Sequence, residues 1–465
     1  MEKNKEFLGT EPVGKLLFRL SVPTVIAQII NMLYNIVDRV YIGHIPDTGS
    51  LALTGVGVCM PIILLVSAFA SLAGSGGAPR ASIFMGKEDT ESAEKTLGGC
   101  FSLLIGLSVV LTTVLLIWNR QLLLIFGASS NTIEYAVSYM NIYALGTVFV
   151  LLTMGLNAFI TAQGNTKIGM LTVLIGAVSN IILDPLFIFV CNMGVSGAAL
   201  ATIISQGISC IWCVFFLCGK HTVLKLKKEN LLVSPDIILP CIALGVSTFI
   251  MQSSESVIHV CFNSSLLKYG GDVAVGAMTI CSSIMQFINL PLQGVSQGAQ
   301  PISSYNFGSR NAHRVKQVFR LLLTCCLTYS VVMWALIMLF PRVFAGMFTP
   351  NNELLDFAVP VVRTYCACIG LFGIQIACQM TFVSIGNAPC SILVAVARKF
   401  VLLLPLIYIM PKIVSNPTMG VYMAEPVADI IAITFTAILF FIQFRMAIRK
   451  LQQPEDRLGH TGSSV

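Results

Sequence analysis

Long uninterrupted runs of apolar residues constrain the fold of this chain more than any other feature. They recur along its whole length; two examples are residues 103–118, which continue on both sides, and residues 430–444. A helix needs about 20 apolar residues to cross a bilayer, and about twelve such runs fit the sequence. With 56% hydrophobic and 11% charged residues, the chain has too little polar surface to cover a water-soluble globule. The sequence therefore predicts an all-α polytopic membrane protein with twelve transmembrane helices.

The distribution of Lys and Arg among the loops predicts the orientation of the chain. If the N-terminus is cytoplasmic, 20 of the 28 basic residues fall on that side, five fall on the other side and three lie within apolar stretches. Because cytoplasmic loops are rich in Lys and Arg, both termini are expected in the cytoplasm and the helices in the cell (plasma) membrane. The net charge of +7 thus reflects topology, and no nucleic acid partner is expected.

The sequence repeats itself at a constant offset of nearly half the chain length. Four pairs of positions hold that register: Gly76 with Gly298, Pro79 with Pro301, Ser82 with Ser304, and Gly86 with Gly308. Each repeat contains about six helices, an even number, so the two halves face the same way in the membrane. We expect two pseudo-symmetric six-helix bundles around a central cavity.

These features divide the chain into five segments. Residues 1–14 are expected to form a cytoplasmic N-terminus, 15–218 an N-lobe, 219–235 a cytoplasmic linker, 236–450 a C-lobe, and 451–465 a disordered cytoplasmic tail. The nearest match to a nucleotide-binding P-loop runs from Gly9 to Leu16 and lacks the final Ser or Thr. The fifteen cysteines lie mostly within apolar helices, as small buried side chains do. We therefore expect neither an enzyme nor a cofactor.

Polar side chains form a stripe on the first helix and another on the seventh. Gln28, Asn31, Asn35 and Asp38 recur at spacings of 3, 4 and 3 residues, which places them on one helix face. Such stripes either hydrogen-bond between packed helices or line an aqueous cavity, and buried carboxylates favour the cavity. The predicted substrate cavity is lined by Gln28, Asn31, Asn35, Gln206, Gln252, Glu255, His259, Arg398 and Glu425.

A second polar group lies on the fifth helix, where Asn180 and Asp184 stand four residues apart, directly before Pro185. Asn157 on the fourth helix and Thr202 on the sixth could reach the same space. With Asp38 these residues supply carboxylate, amide and hydroxyl oxygens, which suit Na⁺, with Asp38, Asn180 and Asp184 as possible ligands. Two neighbouring carboxyl groups could instead share a proton. The sequence leaves Na⁺ and H⁺ open as coupling ions.

Four charged residues lie within apolar stretches of the second half: Arg398, Lys399, Glu425 and Asp429. Glu425 and Asp429 are four residues apart, and pairing with Arg398 or Lys399 would neutralise them at a lower cost than leaving each alone. A structural salt bridge and a place in the substrate path are equally compatible with this pattern.

Five motifs resemble those of the MATE (multidrug and toxic compound extrusion) family across residues 10–450. They are SVPTVIAQIINMLYNIVDRVYIG, LDPLF, MGVSGAALAT, GVSQGAQPISSYNFGSRN and GVYMAEPVAD. The first motif is most similar to the DinF- and MepA-like branches. The resemblance implies two six-helix bundles, alternating access, and export of large, mostly cationic organic compounds against an inward flow of Na⁺ or H⁺.

The resemblance also implies a cation site in the N-lobe, whose acids match Asp38 and Asp184. Its polar partners match Asn157, Asn180 and Thr202. Glu255 is similar to the helix-seven acid of the NorM branch, but residues 370–386 contain no carboxylate to match that branch's helix-ten acid. The expected function is multidrug efflux by secondary active antiport, carried out by a monomer on small organic compounds. The alternatives are a flippase for lipid-linked precursors, from the same superfamily, and a membrane sensor without flux.

Overall fold

Helices long and apolar enough to cross a membrane make up both halves of the protein. The structure is a computed structural model. It describes residues 7–46, 48–220, 222–231, 234–349 and 351–453. The first half contains α1 (Val13–Gly43), α2 (Gly49–Gly86), α3 (Thr90–Ile125), α4 (Ile133–Ala162), α5 (Thr166–Val190) and α6 (Gly194–Cys218). Short one- or two-turn helices at Phe7–Thr10 and Pro341–Gly346 accompany the long ones.

The second half repeats this arrangement with two modifications. Helices α7 (235–270) and α8 (272–308) form one helical segment, Pro235–Gly308, which breaks at Gly271, where φ is 64°. They are followed by α9 (Ala312–Leu339), α10 (Asn352–Tyr365 and Ile369–Ser384, bent by 48°), α11 (Ala388–Ile413) and α12 (Pro417–Gln452). Within the residues that the structure describes, the predicted all-α architecture of twelve spans is confirmed.

The two halves share local geometry at the offset that the sequence repeat predicts. Ser82 Oγ donates a hydrogen bond to Ala162 O at 2.8 Å, and Ser304 Oγ donates to Ser384 O at the same distance. The N-caps of α3 and α9 correspond in the same way: Asp89 Oδ1 accepts from Ser92 N, and Asn311 Oδ1 accepts from Arg314 N. Matching donors and acceptors at a fixed offset are what a pair of pseudo-symmetric bundles requires.

Proline loosens two of the helices that carry predicted intramembrane charges. The end of α5 is a π-helical turn, Leu186–Val190, directly after Pro185, and α11 contains another, Ala397–Leu403, shortly before Pro405. Proline has no N–H to donate, so the backbone ladder is interrupted there, and π-turns are common at functional sites. Asp184 precedes the first turn, and Arg398 and Lys399 lie in the second.

The segment from Phe7 to α1 and the described part of the linker pack onto the lobes at one end of the molecule, which we call the terminal face because it carries Val13 and Gln452. Arg314 donates hydrogen bonds to Leu8 O at 3.1 Å and to Glu11 O at 2.7 Å, which fixes the N-terminal segment on the C-lobe. The linker is bound to the N-lobe through Gln163 Oε1, which accepts from Thr222 Oγ1, Val223 N and Leu224 N. Of the predicted tail only residues 451–453 are described; residues 454–465 and 1–6 lie outside the described ranges.

The two lobes meet along a seam formed by α1, α2, α7 and α8, which begins at the terminal face. A Cβ atom at Gly86 would overlap the carbonyl oxygen of Tyr305, and one at Gly308 would overlap that of Ile83. The two glycines are related by the offset of the repeat, and so are the two carbonyl groups that they approach. The contact between α2 and α8 is therefore reciprocal, and only glycine allows the two backbones to come this close.

The seam ends part of the way along the helices. Its outermost contacts join Gln28 Nε2 to Gln297 Oε1 (3.2 Å), Ser71 Oγ to Gln252 Oε1 (3.1 Å), and the rings of Phe69 and Phe249 (4.9 Å between centroids). Beyond this level Asn31 on α1 and His259 on α7 are exposed. The lobes thus close at the terminal face and leave the polar stripes accessible from the opposite face.

Candidate functional site

Two carboxyl groups from different helices meet inside the N-lobe, and we call them the acid pair. Asp38 on α1 and Asp184 on α5 lie within hydrogen-bonding reach of each other. Asn180 Nδ2, one turn earlier on α5, donates a hydrogen bond to Asp184 Oδ1 at 3.0 Å. Asn180 and Asp184 are 2% and 0% exposed, so these polar groups are removed from bulk water.

Three oxygens at this place are buried and have no hydrogen-bond partner: Asp38 Oδ1, Asn180 Oδ1 and Asp184 Oδ2. Buried polar atoms are nearly always paired, so unpaired oxygens that cluster together require a positive charge or a donor. Carboxylate and amide oxygens are the ligands that Na⁺ takes, and two adjacent carboxylates also bind a proton strongly because like charges in a low dielectric repel. The donor set therefore fits either of the predicted coupling ions.

Two tyrosines that the sequence analysis did not identify border the acid pair. Tyr34 lies one turn before Asp38 on α1 and is close to both carboxyl groups. Tyr139 on α4 lies near Asp38 and contacts Thr202 on α6, whose hydroxyl also donates to Ala198 O at 3.0 Å. The four-residue spacing between Tyr34 and Asp38 was a usable signal; Tyr139 stands in an apolar helix that gave none. Thr202 therefore lies at the edge of the site, where it contacts Tyr139.

Asn157, contrary to the prediction, lies apart from the acid pair. Its Oδ1 is 3.1 Å from the position that a Cβ atom at Gly169 would occupy. Gly169 precedes Asn180 by 11 residues in the same helix, which is about 16 Å along the axis at 1.5 Å per residue. A single ion cannot bridge that distance, so the structure separates Asn157 from the other four predicted ligands.

The C-lobe contains five charged side chains in contact, which we call the C-lobe ion network: Glu255, Arg398, Lys399, Glu425 and Asp429. Arg398 NH2 lies 3.1 Å from Glu425 Oε1 and 2.7 Å from Asp429 Oδ1. Lys399 Nζ lies 2.6 Å from Glu255 Oε1. The guanidinium of Arg398 also stacks on the ring of Phe372, with its carbon 4.9 Å from the ring centroid. Charged side chains from α7, α11 and α12 thus form ion pairs with one another inside the lobe.

Two residues of this network were predicted to line the substrate cavity and do not. Arg398 is 6% exposed and Glu425 is 5% exposed. A charge buried in a bundle is stable only when it is paired, and the pairing draws both side chains into the interior. Glu255 differs from them because its side chain is 46% exposed.

The other predicted cavity residues differ in position, and only some of them lie at the seam or beyond it. Gln28 and Gln252 take part in the seam, as described above. Asn35 Nδ2 donates to Asn31 O at 2.6 Å within α1, and the backbone oxygen of Gln206 accepts from Thr153 Oγ1 at 3.1 Å. Asn31 and His259 are exposed above the seam, Gln206 only partly.

Comparison with known proteins identifies the family. The MatE family model matches residues 23–186 and 247–409, one stretch in each lobe. The multidrug export protein MepA of Staphylococcus haemolyticus is 24% identical over 441 residues, which cover 94% of this chain and 96% of that protein. MepA of Staphylococcus aureus (strain MRSA252) is 24% identical over 406 residues, which cover 87% and 88% of the two chains.

Solved structures with the same fold are also transporters. An outward-facing multidrug resistance MATE family transporter of the MOP superfamily superposes with a TM-score of 0.88 at 23% identity and covers 97% of this chain and 99% of its own. A MOP superfamily transporter from Pyrococcus furiosus gives a TM-score of 0.87 at 24% identity, with the same coverage. Since the family model matches both lobes and more than half of the chain, this multi-pass membrane protein belongs to the MatE family.

Proposed function

We propose that this protein exports organic compounds, among them organic cations, by antiport with Na⁺ or H⁺ bound at the acid pair. The terminal face, with both chain ends, then lies in the cytoplasm of a cell whose plasma membrane the protein spans. The 20 basic residues assigned to that side, against five on the other, support this orientation. One chain supplies both lobes and the seam, so a single copy suffices for transport.

The observation that carries the proposal is the cluster of unpaired buried oxygens at the acid pair. Placing a carboxylate inside a bilayer costs about 2.5 kcal/mol or more of free energy, even after relaxation. Two adjacent carboxylates there therefore indicate a functional role. Binding and releasing a cation is such a function. The multidrug export proteins to which the chain is similar support the assignment of drug-like substrates.

Coupling requires that the ion bind the two conformations of the carrier with different affinities. In the conformation described here the seam is closed and the acid pair lies beyond it, on the side of the opposite face. An ion entering from outside therefore reaches Asp38 and Asp184 while the cytoplasmic side is shut. Ion binding then favours substrate release to the outside and the return of the carrier to its cytoplasm-facing form.

The flippase alternative finds less support. A cavity for a lipid-linked pyrophosphate needs free cationic side chains, and Arg398 and Lys399 are instead paired with carboxylates in the C-lobe ion network. Arg39 lines a surface hollow of about 350 Å³ between α1 and α2. This distribution of charge favours a cationic over an anionic substrate.

Gradient-driven transport in proteoliposomes tests the proposal. Asp38→Asn and Asp184→Asn remove one carboxylate each with little change in size, and we expect each to lower ethidium transport driven by an imposed Na⁺ or H⁺ gradient by about tenfold or more. Asp236→Asn is the matched control because Asp236 is exposed at the start of α7. Full gradient-driven transport by both acid-pair variants would refute the assignment of the ion site.

A further inference from the structure

The C-lobe ion network is one positive charge short. Its three carboxylates belong to Glu255, Glu425 and Asp429, and its two cations to Arg398 and Lys399. Arg398 binds two carboxylates at once, and Lys399 binds the third. When all five groups are ionised, one negative charge is unmatched inside a lobe that hydrocarbon surrounds. Such a charge is costly to bury, so the network attracts one further cation.

Exposure identifies the place where that cation can enter. The side chains of Glu425, Asp429 and Lys399 are 7%, 4% and 5% exposed, whereas that of Glu255 is 46% exposed. Glu255 lies on α7, one turn beyond Gln252, at the level where the seam ends. A molecule between the lobes therefore meets the network at Glu255, whose Oε1 already holds the ammonium group of Lys399.

Lys399 has a second carboxylate within electrostatic reach. Glu425 lies near Lys399 because its Oε1 is 3.1 Å from NH2 of Arg398, the residue directly before Lys399. Arg398 does not need Glu425 to remain paired, because its Nε and NH2 donate to Asp429 Oδ1 at 2.8 and 2.7 Å. Lys399 also lies in the π-helical turn Ala397–Leu403, where the helix is loosened. The same five residues thus allow two arrangements of ion pairs.

We propose that Lys399 is an internal counter-cation, which an organic monocation displaces from Glu255 and which then pairs with Glu425. With the substrate bound, three cations face three carboxylates: the substrate at Glu255, Lys399 at Glu425, and Arg398 at Asp429. The network then has no net charge. The proposal rests on the proposed export of organic cations and assigns the selection of a single positive charge to this exchange.

Equilibrium binding of tetraphenylphosphonium to the purified full-length protein tests the exchange. Lys399→Met removes the competitor for Glu255, so we expect the dissociation constant to fall by about tenfold. Glu255→Gln removes the acceptor and is expected to raise it by about tenfold. In the double variant the gain in affinity from Lys399→Met is expected to disappear, because the carboxylate of Glu255, for which Lys399 and the ligand compete, is absent. Lys412→Met, an exposed lysine on the same helix, is the matched control and is expected to bind as the wild type does.

The outcomes separate the exchange from simpler roles of Lys399. Unchanged or weaker binding by a Lys399→Met variant with wild-type thermal unfolding would overturn the proposal, since Lys399 would then be a structural partner alone. A gain in affinity that persists in the double variant with Glu255→Gln would also overturn the proposal. Such a gain would reflect long-range repulsion between Lys399 and the bound cation and not competition for Glu255. Should Lys399→Met fail to fold, Glu255→Gln decides: the exchange requires it to weaken tetraphenylphosphonium but not neutral triphenylphosphine oxide, and equal effects on both would overturn it. If the wild type binds no organic cation, the proposed function itself fails.

Discussion

Asn180 orients Asp184 within the acid pair through one hydrogen bond, from Nδ2 to Oδ1. Its own Oδ1 has no partner, so the same amide offers an oxygen to a bound cation. A hydrogen bond to a charged group contributes about 1.5–3 kcal/mol. We therefore expect Asn180→Ala to raise the Na⁺ or H⁺ concentration at half-maximal transport by about tenfold or more.

Asn157→Ala provides the matched control for this prediction. It removes the same side chain from the same lobe, about 16 Å from Asn180 along the helix axis. Distant sites act independently, so the half-maximal ion concentration is expected to stay within about twofold of the wild-type value. An equal shift in both variants would mean that Asn180 acts through the stability of the lobe and not through the ion.

At the residue scale the sequence predicts which side chains share a helix face but not which faces meet. The spacing of Asn180 and Asp184 was sufficient to place them together, and the stripe on α1 pointed to Asp38. The position of Asn157 along the helix axes follows from the turn between α4 and α5. Asn157 is much closer to that turn along the chain than Asn180 is, so the two side chains lie at different levels. Arg398 and Glu425 could be recognised as charges that need partners, but their burial depends on how three helices pack.

At the scale of helices, the reciprocal contact between α2 and α8 should control the closed seam. Gly86→Ala places a methyl group where the carbonyl oxygen of Tyr305 lies, and overpacking of this kind costs about 1–3 kcal/mol. Only the conformation closed at the terminal face bears that cost, so the population should shift toward the cytoplasm-open form by about tenfold. Gly308→Ala is expected to have the same effect, because it meets Ile83 O in the equivalent way.

Thiol labelling from the terminal face measures this shift. Ser21 is 6% exposed on α1, where its hydroxyl donates to Val295 O of α8 across the seam, and Ser21→Cys should react faster with a maleimide when Gly86→Ala is added. Gly106→Ala is the control, because a methyl group there meets no atom within 4 Å. If labelling is as slow with Gly86→Ala as with the control, the seam tolerates the methyl group and does not determine the conformation.

The helices themselves followed from hydrophobicity, whereas their breaks did not. The apolar runs gave twelve spans, and Pro185, which has no N–H to donate, is sufficient to loosen the backbone at the end of α5. The 48° bend between Tyr365 and Ile369 depends on how neighbouring helices pack, which the residue pattern of a single helix does not contain. The π-turn at Arg398 lies shortly before Pro405, but a proline alone does not specify which kind of distortion it causes.

At the scale of the whole molecule, a seam closed at one face and polar stripes accessible from the other correspond to one of the two conformations that the proposed alternating access requires. His259 is exposed on α7 beyond the seam, while Cys241, five turns earlier on the same helix, is buried in the seam, where its carbonyl oxygen faces Gly76 of α2. The two positions differ in access but not in helix or lobe. They therefore report which face the space between the lobes opens to.

We expect His259→Cys to react with a membrane-impermeant maleimide added to right-side-out vesicles and the native Cys241 to remain unlabelled. Mass spectrometry of the labelled peptides distinguishes these two sites from the other cysteines, of which Cys191, Cys218 and Cys325 are exposed. Because the terminal face is assigned to the cytoplasm, inside-out vesicles should give much less labelling at His259→Cys. The reverse pattern would contradict the orientation, and with it the direction of export, since an ion from outside could then not reach Asp38 and Asp184 in this conformation.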